Sequence, residues 1–178
     1  MCIRHFFPKL VDGEQEFEFK HLVPFNHCLE GHGRDGAPII VRVSFRSHVF
    51  SRARKGETEG VFFLDENGKT RIFCKDRYAA SLHLSDLCRR LILSNALTWE
   101  TRDGNEKYNL ASIDGPLVNG EHDTVIYYLF PSDADGVDVE FVVVSFYSKA
   151  WDFARIKRRD KINQPIKKCY YQGHRVPK

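Results

Sequence analysis

Three side chains of this sequence are of the types that can cut RNA without a metal ion. Such cleavage needs a base for the 2′-hydroxyl proton, an acid for the leaving oxygen and a cation for the charged intermediate. His48, Tyr147 and Arg158 are predicted to fill these catalytic roles, with Arg77 and Lys149 in support. His48 and Tyr147 each close a predicted strand, so the hypothesis requires these two strand ends to be neighbours.

The C-terminal segment, residues 149–178, differs from the rest of the chain in charge. It carries ten Lys and Arg residues against two Asp, a net charge of +8, whereas residues 1–148 have 17 basic and 22 acidic residues, a net charge of −5. Clustered cations neutralise phosphates, and aromatic rings beside them stack on unpaired bases. The predicted nucleic-acid-binding residues are Arg77, Lys149, Trp151, Arg155, Lys157, Arg159, Lys161 and Tyr170. The alternative is a solvated basic face that docks onto the acidic body.

Metal and cofactor motifs are weak or missing in the sequence. Cys28 and His32 have a spacing compatible with zinc, and Cys74 is a candidate third ligand, but the second pair expected of a structural site is missing. We therefore predict no metal site, with Cys28 and Cys74 as small buried residues. The sequence has no G-x-S-x-G, H-E-x-x-H, phosphate-binding or dinucleotide motif. No cofactor is expected.

The cysteine content and hydropathy predict a cytoplasmic protein. Five scattered cysteines without a secretory leader are most simply reduced thiols. No apolar run approaches the roughly 20 residues that a membrane-spanning helix needs, so no membrane partner is expected. The length of 178 residues favours one domain.

The order of elements follows from the periodicity of the apolar residues. Residues 1–38 are predicted to be an irregular or edge segment, and the period-two pattern of residues 39–50 predicts a strand. Segments 61–64 and 70–74 flank an Asn-Gly pair that is typical of a hairpin turn. Helical spacing predicts a helix over residues 77–94 with a break near His83, and segments 97–101, 107–113, 124–130 and 137–148 are predicted strands. Residues 162–176 are interpreted as a loop followed by an edge strand.

These elements predict an α+β fold. The connections between the last four strands are too short for crossover helices, which favours antiparallel pairing. We expect one α+β domain over residues 1–178, with an antiparallel sheet of about five to seven strands packed against one main helix near residues 77–94.

The order of a helix, four antiparallel strands and a basic tail, over residues 77–178, resembles the RelE and barnase-like ribonuclease toxins. The resemblance implies a small sheet that holds RNA against basic and aromatic side chains. The segments VRVSFRSHVF and RIFCKDRYAAS are also similar to bacterial proteins labelled stationary-phase growth adaptation proteins. That label implies no mechanism.

The sequence supports two functional hypotheses. The first is a bacterial or phage RNA-binding protein, or in its stronger form a metal-independent ribonuclease of toxin type that has RNA and an antitoxin as partners. The second is a non-enzymatic inhibitor that uses charged surface patches to bind a host nucleic-acid-handling machine. Catalysis requires His48, Tyr147 and the basic residues to converge, whereas an inhibitor needs only exposed patches.

Overall fold

The structure is a computed structural model that describes residues 7–102, 108–156 and 158–178. The strands are β1 Leu10–Asp12, β2 Gln15–Phe17, β3 Phe25–Leu29, β4 Ile39–Phe45, β5 Ser51–Ala53, β6 Phe62–Leu64, β7 Thr70–Phe73, β8 Leu97–Arg102, β9 Tyr108–Ile113, β10 Gly120–Pro131, β11 Val139–Trp151 and β12 Asp160–Lys161. The α-helices are α1 Lys75–Ser81, α2 Leu84–Leu93 and α3 Asn163–Gln172. The fold is α+β, as predicted.

A seven-stranded sheet with the order β12-β8-β9-β10-β11-β4-β3 forms the centre of the molecule. The four consecutive strands β8 to β11 pair antiparallel, which confirms the prediction from their short connections. β4 and β11 pair in parallel, from Val139 opposite Val41 to Val143 opposite Phe45. β3 forms the edge beside β4, as expected for part of the N-terminal segment, while β1 and β2 form a separate hairpin.

The strand predicted over residues 39–50 is divided in the structure. β4 ends at Phe45, and a short 3-10 turn, Ser47–Val49, leads to β5. β5 belongs to a three-stranded sheet with the order β5-β7-β6. The predicted hairpin joins β6 to β7, and Gly68 has the positive φ of +73° that its turn requires.

All three α-helices contribute to the main apolar core on one face of the large sheet. The predicted helix is present as α1 and α2, with a break at residues 82–83. α2 buries the apolar residues that recur at helical spacing, Leu84, Leu87, Cys88, Leu91 and Ile92. We call this side of the sheet the covered face.

The edge strand predicted within residues 162–176 is wrong, because residues 163–172 form α3. Pro165 is compatible with this helix because it lies in the first turn, where the missing N–H group breaks no helical hydrogen bond. Ile166 and Cys169 are fully buried in the main core. The helix ends at Gly173, whose φ of +63° is typical of a helix C-terminus.

Candidate nucleic-acid interface

The second face of the large sheet carries aromatic and basic side chains, and we call it the open face. Successive side chains of a strand point to opposite faces, so residues that alternate with the main core lie here. Among the described residues, no helix contributes to the apolar cluster on this side. That cluster is covered in part by the loop between β9 and β10, through Leu117, and by the chain segment after β11, through Phe153 and Ile156.

Three of the predicted residues lie together on the open face. Tyr147, Lys149 and Trp151 alternate along β11 and are half-buried. The Lys149 Nζ atom lies 4.3 Å from the centre of the Trp151 ring. The Trp151 Nε1 group donates a hydrogen bond of 2.9 Å to the Thr124 hydroxyl of β10. A cation and two aromatic rings are therefore presented along one strand.

Trp151 is held in place by a second apolar cluster. Its ring meets the buried Trp99 edge to face, with 5.0 Å between the ring centres and an interplanar angle of 86°. Phe153 contacts the same Trp99 ring at 5.5 Å. Because β8 and β11 both contribute rings to this cluster, the Trp151 side chain is fixed with part of its surface in solvent.

A group of residues missed by the sequence analysis extends the open face along the strands. We call Arg46, Tyr128, Phe130 and Arg175 the Tyr128 patch. The Arg46 Nη2 group donates to the Tyr128 hydroxyl at 3.2 Å, and the Arg175 guanidinium carbon lies 4.7 Å from the centre of the Tyr128 ring. The Tyr128 and Phe130 rings stack at 6.0 Å. In the sequence, Tyr128 and Phe130 alternate with the apolar Leu129, and this period-two pattern could have placed both rings on the face opposite the core.

A buried ion pair adjoins the Tyr128 patch where β4 and β11 pair. Arg42 lies opposite Glu140 in the register, and the Arg42 guanidinium donates through two nitrogens to the two Glu140 carboxylate oxygens. The Ser132 hydroxyl donates to the same carboxylate at 2.7 Å. Glu140 is only 4% exposed, so these three donors compensate the burial of its charge.

Other predicted basic residues lie at the margin of the open face or outside the described residues. Arg155 follows β11, is exposed and forms an ion pair of 3.0 Å with Asp152. Lys161 lies on β12 opposite Leu97 of β8, the strand that also carries Trp99. Arg159 is exposed just before β12. Lys157 lies outside the described residues.

Two further predicted residues are placed away from the open face. Tyr170 belongs to α3, and its ring packs against the main core on the covered face. Arg158 lines a cavity formed by β8, the segment before β12 and α3. Neither side chain is grouped with Tyr147 or Trp151.

The family model that matches this chain spans residues 8–170 and describes the YjaZ family. The chain belongs to the YjaZ family. No curated protein and no solved structure matches it. The matched residues include Arg46 and the strands β10 and β11, whereas Arg175 lies after the last matched residue. The family description names no reaction and no ligand.

His48 lies in the turn after β4, beside the small sheet. Its Nε2 atom is 3.6 Å from a carboxylate oxygen of the buried Asp65. Burial lowers the pKa of His48, the Arg71 guanidinium lowers it further, and Glu66 and Asp65 offset only part of the shift. His48 therefore favours its neutral form.

Arg77 supports the backbone around His48 in this YjaZ family member. Its Nη1 group donates to the carbonyl oxygens of His48, at 3.2 Å, and Ser51, at 2.7 Å. Since these bonds tie α1 to the turn, we assign Arg77 a structural role in place of the predicted contact with nucleic acid.

The three predicted catalytic residues do not form one site. His48 follows β4 and Arg158 precedes β12, and four strands separate β4 from β12 in the sheet. At about 4.8 Å per strand, this corresponds to a lateral distance of roughly 24 Å. Tyr147 lies on β11, the strand that pairs with β4, so the strand ends near His48 and Tyr147 are neighbours, whereas Arg158 is remote from both. The arrangement therefore lacks the shared base, acid and cation that cleavage requires.

The candidate zinc ligands are also separate. The Cys28 thiol, on β3, donates to Glu30 at 2.9 Å, while Cys74 precedes α1. Cys28 is exposed, which corrects the expectation that it is buried. Within residues 7–102, 108–156 and 158–178, no group of three or more His, Cys, Asp or Glu side chains could hold a metal ion. No α-helix in these ranges is long and apolar enough to cross a membrane.

Proposed function

We propose that this protein binds single-stranded RNA on the open face of its seven-stranded sheet, without cleaving it. One observation carries the proposal: four half-buried aromatic residues on the neighbouring strands β10 and β11 share this face with cations. The aromatic residues are Tyr128, Phe130, Tyr147 and Trp151. Aromatic side chains on a sheet that stack on unpaired bases are a common solution for binding single-stranded RNA.

The cations on the open face are placed close to the rings. Lys149 lies over Trp151, and Arg175 lies over Tyr128. A cation beside a stacked base can reach the phosphate that follows it, which adds the salt-dependent part of the affinity. Arg159 and Lys161 extend the positive charge towards the β12 edge.

The aromatic residues form two groups, Tyr128 with Phe130 on β10 and Tyr147 with Trp151 on β11. The distance between these groups indicates the length of the ligand. Tyr147 pairs with Thr124, which is four residues from Tyr128 on β10. At about 3.3 Å per residue, the two groups lie roughly 13 Å apart along the strands. An oligonucleotide of several unpaired nucleotides is therefore the expected ligand. The proposal places the protein in the cytoplasm, where thiols such as Cys28 and Cys74 stay reduced.

The test is fluorescence anisotropy with labelled single-stranded RNA oligomers and matched DNA oligomers, in buffer that contains EDTA. We expect saturable RNA binding that leaves the RNA intact and weakens as the salt concentration increases. Removal of one stacking ring costs about 1–3 kcal/mol, so Tyr147→Ala should weaken binding roughly 5- to 150-fold.

The matched control is Tyr171→Ala, which removes an exposed tyrosine from α3 on the other side of the sheet. It should leave the RNA affinity unchanged. Absence of RNA binding, or equal losses in the two variants, would overturn the proposal. Recovery of one stoichiometric protein and no RNA from a host lysate would instead support the inhibitor hypothesis.

A further inference from the structure

A cavity of about 290 Å³ lies between β8, the segment before β12 and α3. It includes Thr98, whose hydroxyl group contacts Tyr127 of the main core at 2.7 Å. The cavity therefore opens on the covered side of the sheet edge and is separate from the proposed RNA interface. Its volume is at the lower limit of typical ligand pockets, about 300–1,000 Å³, and suits one small molecule.

Four charged side chains line this cavity, and their formal charges sum to zero. Arg158 and Lys168 supply two positive charges, and Glu100 and Asp160 supply two negative charges. None of these four side chains forms a hydrogen bond or an ion pair with another described residue. Since all four border one small cavity, their charges are available to a ligand that carries both signs.

The negatively charged and the positively charged side chains of the cavity lie on different elements. Asp160 pairs with Thr98 across β12 and β8, and Glu100 follows Thr98 on the same face of β8. Lys168 lies one helical turn beyond Gln164 on α3, and both residues line the cavity. The carboxylates are therefore fixed on the sheet, whereas the ammonium group of Lys168 comes from the helix.

The remaining lining is mostly apolar. Leu110 and Val176 are buried residues of the main core that reach the cavity, and Pro165 adds the first turn of α3. A ligand held by its charged ends would place a hydrocarbon group against these side chains. A nucleic-acid phosphate chain does not suit a lining of zero net charge that includes two carboxylates.

We propose that this cavity binds a free α-amino acid with an apolar side chain. Arg158 and Lys168 bind its carboxylate, Glu100 and Asp160 bind its ammonium group, and the side chain packs against Leu110, Pro165 and Val176. The site is independent of RNA binding, and it gives Arg158 a role in place of the predicted catalytic one.

The test is isothermal titration calorimetry of the full chain with L-leucine. We expect saturable binding with a Kd below about 1 mM, equivalent to about 4 kcal/mol. Leucinamide lacks the carboxylate and 4-methylpentanoate lacks the ammonium group, so each should bind at least about tenfold more weakly, as the loss of one charged hydrogen-bonding group predicts.

Variants distinguish the cavity from the rest of the surface. Arg158→Gln and Glu100→Gln should each weaken L-leucine binding about tenfold or more. Arg159→Gln, at an exposed neighbour outside the cavity lining, should not. The proposal is overturned by no saturable binding of L-leucine, by equal affinity for the two analogues, by tighter binding of inorganic phosphate, or by an equal effect of Arg159→Gln. RNA binding by Arg158→Gln and Glu100→Gln is expected to stay unchanged, because neither residue belongs to the open face.

Discussion

The two faces of the seven-stranded sheet are built from the same strands but have different chemistry. On β10 and β11 the covered face presents Tyr127, Leu129 and Phe141, all of them fully buried, whereas the open face presents Tyr128 and Tyr147, which are half-buried. Alternation along a strand lets one residue stabilise the fold while its neighbour remains available to a ligand. Substitutions on the two faces should therefore separate the stability of the protein from its binding of RNA.

The largest effect is expected for Phe141→Ala on the covered face. Phe141 stacks on Tyr127 with 4.0 Å between the ring centres, and its removal leaves a cavity in the core. We expect the free energy of unfolding to fall by about 3–5 kcal/mol, measured by urea denaturation. Phe130→Ala, at a half-buried position of the open face, is the matched control and should cost less. Equal losses would show that the two faces do not differ in this way.

The next effect should be a change in RNA affinity that comes from the Tyr128 patch. Tyr128→Ala removes the ring between Arg46 and Arg175, so the Kd for an RNA oligomer should rise roughly 5- to 150-fold. Tyr128→Phe keeps the ring and loses only the hydroxyl group that accepts from Arg46, so its Kd should stay close to that of the wild type. Anisotropy titrations check both values. If Tyr128→Phe is as defective as Tyr128→Ala, the ring does not stack on a base.

A smaller effect is expected in the salt dependence of binding. Lys149→Gln removes one cation from the open face, and the slope of log K against log salt should become shallower by about 0.7 if Lys149 binds one phosphate. Lys69→Gln, in the exposed turn between β6 and β7, should leave the slope unchanged. An unaltered slope in Lys149→Gln would exclude a contact between Lys149 and phosphate.

Patterns among residues that are close in the sequence predicted those helices and strands that depend on contacts between such residues. Helical spacing located α1 and α2, and the short turns fixed the antiparallel order of β8 to β11. α3 was missed because its apolar residues are interrupted by basic residues and show no clear helical spacing; its Pro165 lies in the first turn, which accepts proline. The parallel pairing of β4 with β11 was also missed, since partners that are distant in the sequence leave no mark on the pattern of either strand.

Of the candidate-site residues on β10 and β11, only those on β11 were predicted from the sequence. Tyr147, Lys149 and Trp151 alternate along β11, so one period-two segment carries all three. Arg46 and Tyr128 are 82 residues apart in the chain, and only the pairing of the strands brings them together. The basic C-terminal segment showed the same limit, because Arg158 lines the cavity while Lys149 lies on the open face. Clustering of charge in the sequence therefore did not define one surface.

The smallest effect is expected at His48, which lies outside the open face. Because the folded state lowers the pKa of His48 below its ordinary value of 6.5, the unfolded chain takes up a proton more readily. Stability should therefore be fully present above about pH 6.5 and should fall as the pH decreases through this region.

His48→Gln should make the decrease in unfolding free energy between pH 7 and about pH 5 less steep, as measured by urea denaturation at each pH. His83→Gln, at an exposed histidine between α1 and α2, should leave the decrease as steep as in the wild type. RNA affinity at pH 7 should be the same in both variants, since neither histidine belongs to the open face. A loss of affinity in His48→Gln alone would extend the binding surface to the turn after β4 and would contradict the separation of the two faces.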